Sequence, residues 1–257
     1  MQIAVVTGAS SGLGREFVYQ ISRTETLDEI WVIARRKNRL QELSAKIKTV
    51  HVRPIALDLT SQKSMTIYRE LLKQENPDVR IFVNAAGFGK MGNYAEISRQ
   101  DCDSMIDLDC RAAVDMTVLT LPYMREGARI LEICSTAAFQ PLSALSVYAA
   151  SKAFLLHYTR ALRWELSPRG IHTTAVCPYW IKDTEFISTA KKTRNSTAVR
   201  HFPLASHVHS VVKLALMDSR LNLAVSTPSP MSFVHRIFAK FIPHSAMIGI
   251  WELLRRI

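Results

Sequence analysis

The stretch TGASSGLG, residues 7–14, decides the fold of this chain. It follows a β-branched apolar run, QIAVVT at residues 2–7, and leads into a segment with helical periodicity at residues 12–23. Its three glycines permit a tight turn and a close approach of backbone to a ligand, and the helix that follows offers free N–H groups to a pyrophosphate. We therefore expect a dinucleotide-binding turn; a glycine-rich turn that binds nothing is the weaker alternative.

The alternation of short apolar runs and amphipathic segments continues along the chain. It predicts an α/β fold, a single doubly wound Rossmann domain with a mainly parallel sheet of about seven strands and helices on both faces. We expect residues 1–230 to form the dinucleotide-binding and catalytic domain, and residues 231–257 an amphipathic C-terminal extension of it, broken at Pro243. Further strands are predicted at 29–34, 51–58, 79–87, 128–135, 171–178 and 223–227, and further helices near 37–47, 61–75, 100–122, 147–166 and 206–218.

Composition narrows the class of protein. The 257 residues contain no run approaching the ~18 consecutive apolar residues of a membrane span. The N-terminus reads as a strand rather than a signal peptide, so we expect a cytoplasmic protein. The cysteines lack the spacing of a zinc site or a disulfide framework, and we expect no metal: Cys102, Cys110, Cys134 and Cys177.

Positive charge is concentrated in the C-terminal third. From Ile187 onward, ten Lys and Arg face two acidic residues, which gives +8 of the net charge of +11. Such an excess can indicate nucleic acid, anionic lipid or an anionic substrate, although a solvated surface is the more common reason. No nucleic-acid-binding motif is present, so we expect no nucleic-acid partner.

The end of the second predicted strand carries a basic cluster, ARRK at residues 34–37. Many dinucleotide sites have an acidic residue here, which binds the adenosine ribose and repels a 2′-phosphate. Arg35 and Arg36 can instead bind a 2′-phosphate, so we expect NADP(H) rather than NAD(H) as the cofactor. The alternative is that one or more of these charges is simply solvated at the start of the second helix.

Four motifs in register indicate a family. TGASSGLG, NAAG at residues 84–87, Ser135 and YAASK at residues 148–152 together resemble the short-chain dehydrogenase/reductase family, from about residue 2 to 186. The resemblance implies that Tyr148 exchanges a proton with the substrate oxygen. It also implies that Lys152 lowers the tyrosine pKa and holds the nicotinamide ribose, and that Ser135 binds the substrate oxygen. The spacing is compatible, because residues four apart share a helix face and a nearby ammonium favours the phenolate.

The resemblance also implies a set of cofactor-binding residues. The glycine turn binds the pyrophosphate, Asp58 and Leu59 bind the adenine end, and residues after the fourth and sixth strands line the nicotinamide half. Asp58 could alternatively act as a helix N-cap. With Arg35, Arg36, Tyr148 and Lys152, the implied set is Gly8, Ser10, Ser11, Gly12, Leu13, Gly14, Asp58, Leu59, Asn84, Ala85, Ala86, Gly87, Pro178, Ile181 and Thr184.

Two positions depart from the family pattern. Asp109 stands where the family usually has an asparagine whose backbone carbonyl supports a water relay to the lysine, so we place it with the catalytic group. Its added charge could tighten Lys152 or disturb the tyrosine pKa. The family's Pro-Gly is Pro178-Tyr179 here, followed by Trp180. The two aromatic residues either form an apolar wall for a bulky substrate or pack under the next loop.

The segment after the sixth strand, residues 183–205, is expected to cover the substrate. Its basic residues could attract an anionic substrate group, but a solvated loop explains them equally well. They are Lys191, Lys192, Arg194 and Arg200.

Residues 231–257 have three readings. They could pack against the sheet or a neighbouring subunit, which we favour, or help to close the substrate pocket. Aromatic residues occur here together with Arg236, Lys240, Arg255 and Arg256, so these residues could also lie on a membrane surface. We do not favour this third reading.

The function expected from these features is an NADP(H)-dependent oxidoreductase. It would act on a carbonyl or alcohol substrate, and the aromatic pair favours a hydrophobic one such as a steroid, a fatty acyl compound or an aromatic ketone. A homo-oligomer, dimer or tetramer, is expected. The alternative is a regulatory or sensor protein that binds NADP(H) without turnover, because a fold does not fix a function.

Overall fold

The computed structural model describes residues 1–194, 198–202 and 204–255. The expected substrate loop at 183–205 and the C-terminal extension at 231–257 therefore fall partly outside the described residues. This applies to residues 195–197, to residue 203, and to Arg256 and Ile257.

In the described residues, seven parallel strands form one sheet, which confirms the predicted fold class. Their spatial order is β3-β2-β1-β4-β5-β6-β7, so β2 and β3 lie on one side of β1 and the four later strands lie on the other. The strand order therefore reverses between β1 and β4. In an open α/β sheet, ligands bind outside the carboxyl ends of the strands at such a reversal. The strands are β1 Gln2–Thr7, β2 Glu29–Ala34, β3 His51–Ala56, β4 Asp78–Asn84, β5 Arg129–Ile133, β6 His172–Val176 and β7 Val225–Ser226.

The central strands are mainly apolar because both faces of the sheet are covered. In β1, Ile3 and Val5 face one core and Ala4 and Val6 face the other. The helices are α1 Gly12–Thr24, α2 Lys37–Lys46, α3 Gln62–Glu75, α4 Arg99–Ile106, α5 Ala112–Thr120, α6 Ser146–Leu166, α7 Phe186–Ala190, α8 Val208–Arg220, α9 Pro230–Phe241 and α10 His244–Leu254. The core with Ala4 and Val6 contains side chains of α1, α2 and α8, and the core with Ile3 and Val5 contains those of α3, α5 and α6.

The long helix predicted at 100–122 is not uniformly α-helical. A five-residue π-helical turn, Asp107–Arg111, separates α4 from α5. A π turn inserts an extra residue into the helical ladder, and such turns occur frequently at functional sites. Here the widened turn contains Asp109, which is completely buried.

The C-terminal residues form two helices that lie over the carboxyl edge of the sheet. The break falls at Pro243, between α9 and α10, as expected. The Tyr179 N–H donates to Ser232 Oγ of α9 at 3.0 Å, and the Trp251 indole of α10 donates to the Ser143 carbonyl at 2.8 Å. Among all helices in the described part of the chain, none has the length and apolarity to cross a bilayer.

Candidate active site

A cleft of about 1250 Å³ opens at the carboxyl edge of the sheet. Its floor contains the glycine turn after β1, the ends of β4, β5 and β6, and the start of α6. Its far wall is formed by α9 and α10. All predicted cofactor, catalytic and substrate residues line the cleft except Asn84 and Asp109.

The glycine turn packs so closely on its neighbours that side chains are excluded. Gly8 has a φ of +66°, and a Cβ there would lie 2.6 Å from the Ala85 carbonyl oxygen. A Cβ on Gly14 would lie 2.5 Å from the Gly8 carbonyl oxygen. The Thr7 hydroxyl accepts the N–H groups of Ala85 and Ala86 at 3.0 Å each and so joins the turn to the end of β4. The backbone at the N-terminus of α1 is thereby held open to a ligand.

Arg36 lies directly over the glycine turn. Its guanidinium donates to Ser10 Oγ at 3.0 and 3.1 Å and to Ser11 Oγ at 2.7 Å. It also pairs with Glu185 at 2.8 Å, and Arg39 pairs with the same carboxylate. The hydrogen bonds that Arg39 and Arg36 donate to the Glu185 carboxylate, with the charges of both guanidinium groups, lower the pKa of Glu185 to about 2. Glu185, which directly precedes α7, is thus ion-paired across the cleft with arginines at the start of α2.

Arg35 and Asp58 line the part of the cleft where the resemblance implies that the adenine end of the cofactor binds. The Asp58 carboxylate accepts the N–H and the hydroxyl of Thr60, at 3.1 and 2.8 Å. Slight burial raises the Asp58 pKa, but these hydrogen bonds and the nearby Arg35 charge lower it more. Asp58 therefore shapes the turn before α3 and also faces the cleft.

Asn84 does not line the cleft, although the resemblance implies a cofactor contact. Its side chain accepts the Thr7 hydroxyl at 3.0 Å and donates to the Ala113 carbonyl at 3.0 Å. It is buried beneath the floor, where it joins β1, β4 and α5. Both polar groups of the side chain are therefore hydrogen-bonded within the protein, as buried polar groups ordinarily are.

Ser135, Tyr148 and Lys152 meet in the middle of the cleft floor. The Ser135 hydroxyl lies close enough to Tyr148 to lower the pKa of its phenol. The Lys152 ammonium lies 5.8 Å from the centroid of the Tyr148 ring and donates to the Ile133 carbonyl at 3.1 Å. Ser135 follows β5 directly and accepts the Ala137 N–H at 3.1 Å, which orients its hydroxyl. Both Tyr148 and Lys152 are buried, so their interaction is poorly screened by solvent.

The pKa of Tyr148 lies above its ordinary value. Burial disfavours the phenolate, and this effect exceeds the lowering by Lys152 and by the Ser135 hydroxyl; the Asp109 charge adds to the rise. The lysine thus acts in the expected direction, but the net shift from the chain's own groups is opposite to the one expected. For Lys152, burial lowers the pKa, whereas Asp109 and Tyr148 raise it to a value above the usual one.

Asp109 lies behind the floor and forms a buried ion pair. Its Oδ2 is 3.4 Å from Lys152 Nζ, and its Oδ1 accepts the Phe88 N–H at 3.0 Å. Burial raises the pKa of Asp109, and the Lys152 charge opposes the rise. A Cβ on Gly87 would lie 2.8 Å from Asp109 Oδ1, so the glycine permits this close packing.

Three polar residues near the site were missed by sequence reasoning. Glu132 on β5 is completely buried, accepts the Thr117 hydroxyl at 2.8 Å, and has a pKa raised by burial to about 8. A carboxylate inside the strand ILEICS was the available signal. Gln140 and His235 line the cleft, and Gln140 Oε1 has no hydrogen-bond partner among the described residues. Burial lowers the pKa of His235, which favours a neutral ring.

The segment after β6 covers both halves of the cleft. The Thr184 side chain lies above Gly12, at 3.6 Å from the position that a Cβ on Gly12 would take. Tyr179 and Trp180 both line the cleft. Forming an apolar wall for a substrate and packing under the next loop are therefore compatible. The Trp180 ring packs at 4.8 Å against Phe202 of the next loop, and Tyr179 packs at 6.4 Å against His235 of α9.

The family is shown by comparison with known proteins. A profile of short chain dehydrogenases matches residues 2–195. The chain belongs to the short-chain dehydrogenase family. Among its relatives, an uncharacterized oxidoreductase of Myxococcus xanthus is 30% identical, covering 94% of this chain and 92% of its own. A very-long-chain 3-oxoacyl-CoA reductase of Phaeosphaeria nodorum is 30% identical, covering 88% of this chain and 67% of its own.

A solved short-chain dehydrogenase from Sphingobium yanoikuyae, in complex with NADPH, is also similar. It superposes with a TM-score of 0.80 at 26% identity, over 98% of this chain and 96% of its own. Membership of the family supports an oxidoreductase acting on a small molecule.

Proposed function

We propose that the protein is an NADP(H)-dependent oxidoreductase that transfers hydride between the nicotinamide and a hydrophobic carbonyl or alcohol substrate. The observation that carries the proposal is the meeting of Ser135, Tyr148 and Lys152 in the same cleft as the glycine turn. The phenol supplies an exchangeable proton, and the ammonium stabilises its charged form.

Each member of the group has a separate task. When bound, the dinucleotide supplies or accepts the hydride. In reduction, Tyr148 gives its proton to the substrate oxygen, which Ser135 holds by a hydrogen bond; in oxidation, the phenolate takes that proton. Lys152 stabilises the phenolate and binds the ribose, and Asp109 fixes the position of the ammonium. Of the expected cofactor residues, Asn84 supports the floor rather than contacting the cofactor.

NADP(H) is favoured by the basic end of the cleft. Arg35 and Arg36 lie beside the glycine turn, where a 2′-phosphate would be bound by a guanidinium. The hydrogen bonds from Arg36 to Ser10 and Ser11 hold it ready at this place. The Sphingobium yanoikuyae relative, which was solved with NADPH, is consistent with this choice.

The Glu185 carboxylate competes with a 2′-phosphate for Arg36 and Arg39. Glu185→Gln should therefore tighten NADPH binding about threefold to tenfold, because both guanidinium groups lose an anionic partner, and should leave NADH binding nearly unchanged. Titration calorimetry of both dinucleotides measures the ratio. Glu75→Gln is the matched control, since Glu75 pairs with Arg53 away from the cleft. An equal change for both dinucleotides would contradict the 2′-phosphate assignment.

A hydrophobic substrate is favoured by the wall opposite the glycine turn. Steroid, fatty acyl and aromatic ketones are the candidate classes, and the similarity to a very-long-chain 3-oxoacyl-CoA reductase supports the fatty acyl one. The unpartnered Gln140 oxygen offers a hydrogen-bond acceptor for a polar group of such a substrate. Apolar residues of the wall include Leu142, Leu145, Met231, Phe238, Met247 and Trp251.

The experiment that tests this function is an NADPH-oxidation screen over steroid, fatty acyl and aromatic ketones. We expect turnover with hydrophobic members and little with short polar aldehydes. The second candidate function, a sensor that binds NADP(H) without turnover, predicts binding of NADPH with no oxidation across the panel. The buried charge of Asp109 beside Lys152 is the observation that keeps this candidate open.

Three further expectations belong to the same proposal. Residues 231–257 close the substrate end of the single domain at 1–230, as α9 and α10 line the cleft. The protein assembles as a dimer or tetramer, and it acts in the cytoplasm without nucleic acid as a partner. In the described ranges, no group of three or more His, Cys, Asp or Glu side chains is placed to hold a metal ion.

A further inference from the structure

Helix α9 carries two rows of apolar side chains, one that lines the cleft and one that lies away from it. The face toward the cleft carries Met231, Val234, Phe238 and Ile242. The opposite stripe, at i, i+4 and i+8, lines no part of the cleft. It consists of Phe233, Ile237 and Phe241, which are 55%, 42% and 74% exposed. Three large apolar side chains exposed along one stripe of a helix indicate an interaction surface, so this outer stripe needs a partner.

The exposed apolar surface continues onto α10 and to the mouth of the cleft. Ile250, Leu253 and Leu254 are also exposed. Phe238, Ile250 and Leu254 line the cleft and are also exposed to solvent. The outer surface of α9 and α10, here called the apolar cap, therefore surrounds the opening through which an apolar substrate would enter. Contiguous apolar patches of this kind mark interaction sites.

The charges of the apolar cap favour an anionic partner. Exposed Arg236 and Lys240 flank the outer stripe of α9. No acidic residue occurs in the sequence between Asp218 and Glu252. The Glu252 carboxylate is paired with Arg255 at 2.7 Å, and Arg255 also donates to the Ala198 carbonyl at 3.1 Å. The exposed Arg200 lies two residues after Ala198 in the neighbouring loop. With Arg236 and Lys240 it forms a basic rim beside the apolar centre.

We propose that the apolar cap docks on the surface of an anionic lipid bilayer, with the mouth of the cleft facing the membrane. α9 has 12 residues and fits an interfacial helix, whose apolar side enters the headgroup boundary while Lys and Arg contact lipid phosphates. A two-fold contact with a second copy would instead bring Arg236 and Lys240 close to their own equivalents, at a cost in charge repulsion. A bilayer surface matches both the apolar centre and the basic rim.

The test is sedimentation of the full chain with vesicles of phosphatidylcholine, with and without phosphatidylserine. We expect binding to the anionic vesicles. The triple variant Phe233→Ser, Ile237→Ser, Phe241→Ser should bind them at least about tenfold more weakly. Arg236→Gln with Lys240→Gln should bind about 30-fold more weakly, from about 1 kcal/mol per basic residue at an anionic surface. The control Trp164→Ser, which removes an 80% exposed side chain near the far end of α6, should bind normally.

NADPH affinity and circular dichroism verify that each variant is folded, because the altered side chains lie outside the cleft. The molar mass of wild type and triple variant is measured in parallel by light scattering. Three outcomes would overturn the proposal. These are no binding of the wild type to anionic vesicles, equal binding of wild type and triple variant, or a drop in mass that reveals the apolar cap as a subunit contact.

Discussion

Tyr148→Phe should lower kcat by about 10³-fold while the NADPH dissociation constant stays within about threefold of wild type. The phenylalanine ring keeps the packing against Phe186, whose ring centroid lies at 5.3 Å, so the floor of the cleft is preserved. Only the hydroxyl is lost, and with it the proton that reaches the substrate oxygen. The separation between binding and turnover is the signature of a group that acts on the reacting atoms.

Tyr158→Phe is a matched control for this experiment. Tyr158 lies on the same helix α6, is partly buried, and packs against Phe154 outside the cleft at 6.4 Å. The same chemical change should there leave kcat within about twofold of wild type. If Tyr148→Phe kept a tenth or more of the wild-type kcat, the proton-donor assignment would be wrong.

Asp109→Leu should lower the free energy of unfolding by about 3–5 kcal/mol, because Lys152 would be left as a buried charge without a partner. Asp109→Asn should cost less, since its amide oxygen still accepts the Phe88 N–H now bound by Oδ1. Chemical denaturation measures both variants. Asp107→Leu is the control, because Asp107 pairs with Arg111 on the surface of the same π turn and is worth little there. Equal losses for positions 107 and 109 would contradict a stabilising buried pair.

The pH profile separates a positioning role of Asp109 from a merely structural one. The Asp109 charge raises the pKa of Tyr148, so removing it in Asp109→Asn favours the phenolate. The limb of the alcohol-oxidation profile that requires phenolate should therefore move to lower pH in this variant. An unchanged limb would show that Asp109 serves packing alone.

Local sequence determined the fold and the centre of the site. β-branched runs between glycine and proline marked the strands, and the four-residue spacing of Tyr148 and Lys152 placed both on one face of α6. The sequence could not show which of Arg35 and Arg36 is held over the glycine turn. That position depends on Ser10, Ser11 and Glu185, which contact Arg36 only in the folded chain. The π turn at Asp109 was likewise hidden, since its apolar spacing resembles that of a continuous helix.

The net pKa of Tyr148 shows a different limit. Spacing predicts the neighbouring ammonium, but the cost of burying the phenolate depends on all elements that cover the ring. Likewise, Gln140 and His235 reach the cleft only because the loop after β5 and helix α9 fold back over the sheet.

Hydride transfer itself tests the central claim most directly. The wild-type protein is incubated with NADPH deuterated at C4 on one face or the other, together with the hydrophobic ketone panel, and the products are analysed by mass spectrometry. We predict an alcohol with one deuterium on the carbinol carbon, from one of the two labelled cofactors only, and about a thousandfold slower formation of it with Tyr148→Phe. Tight binding of NADPH with no labelled alcohol from any ketone would contradict the account and leave a dinucleotide-binding protein without this chemistry.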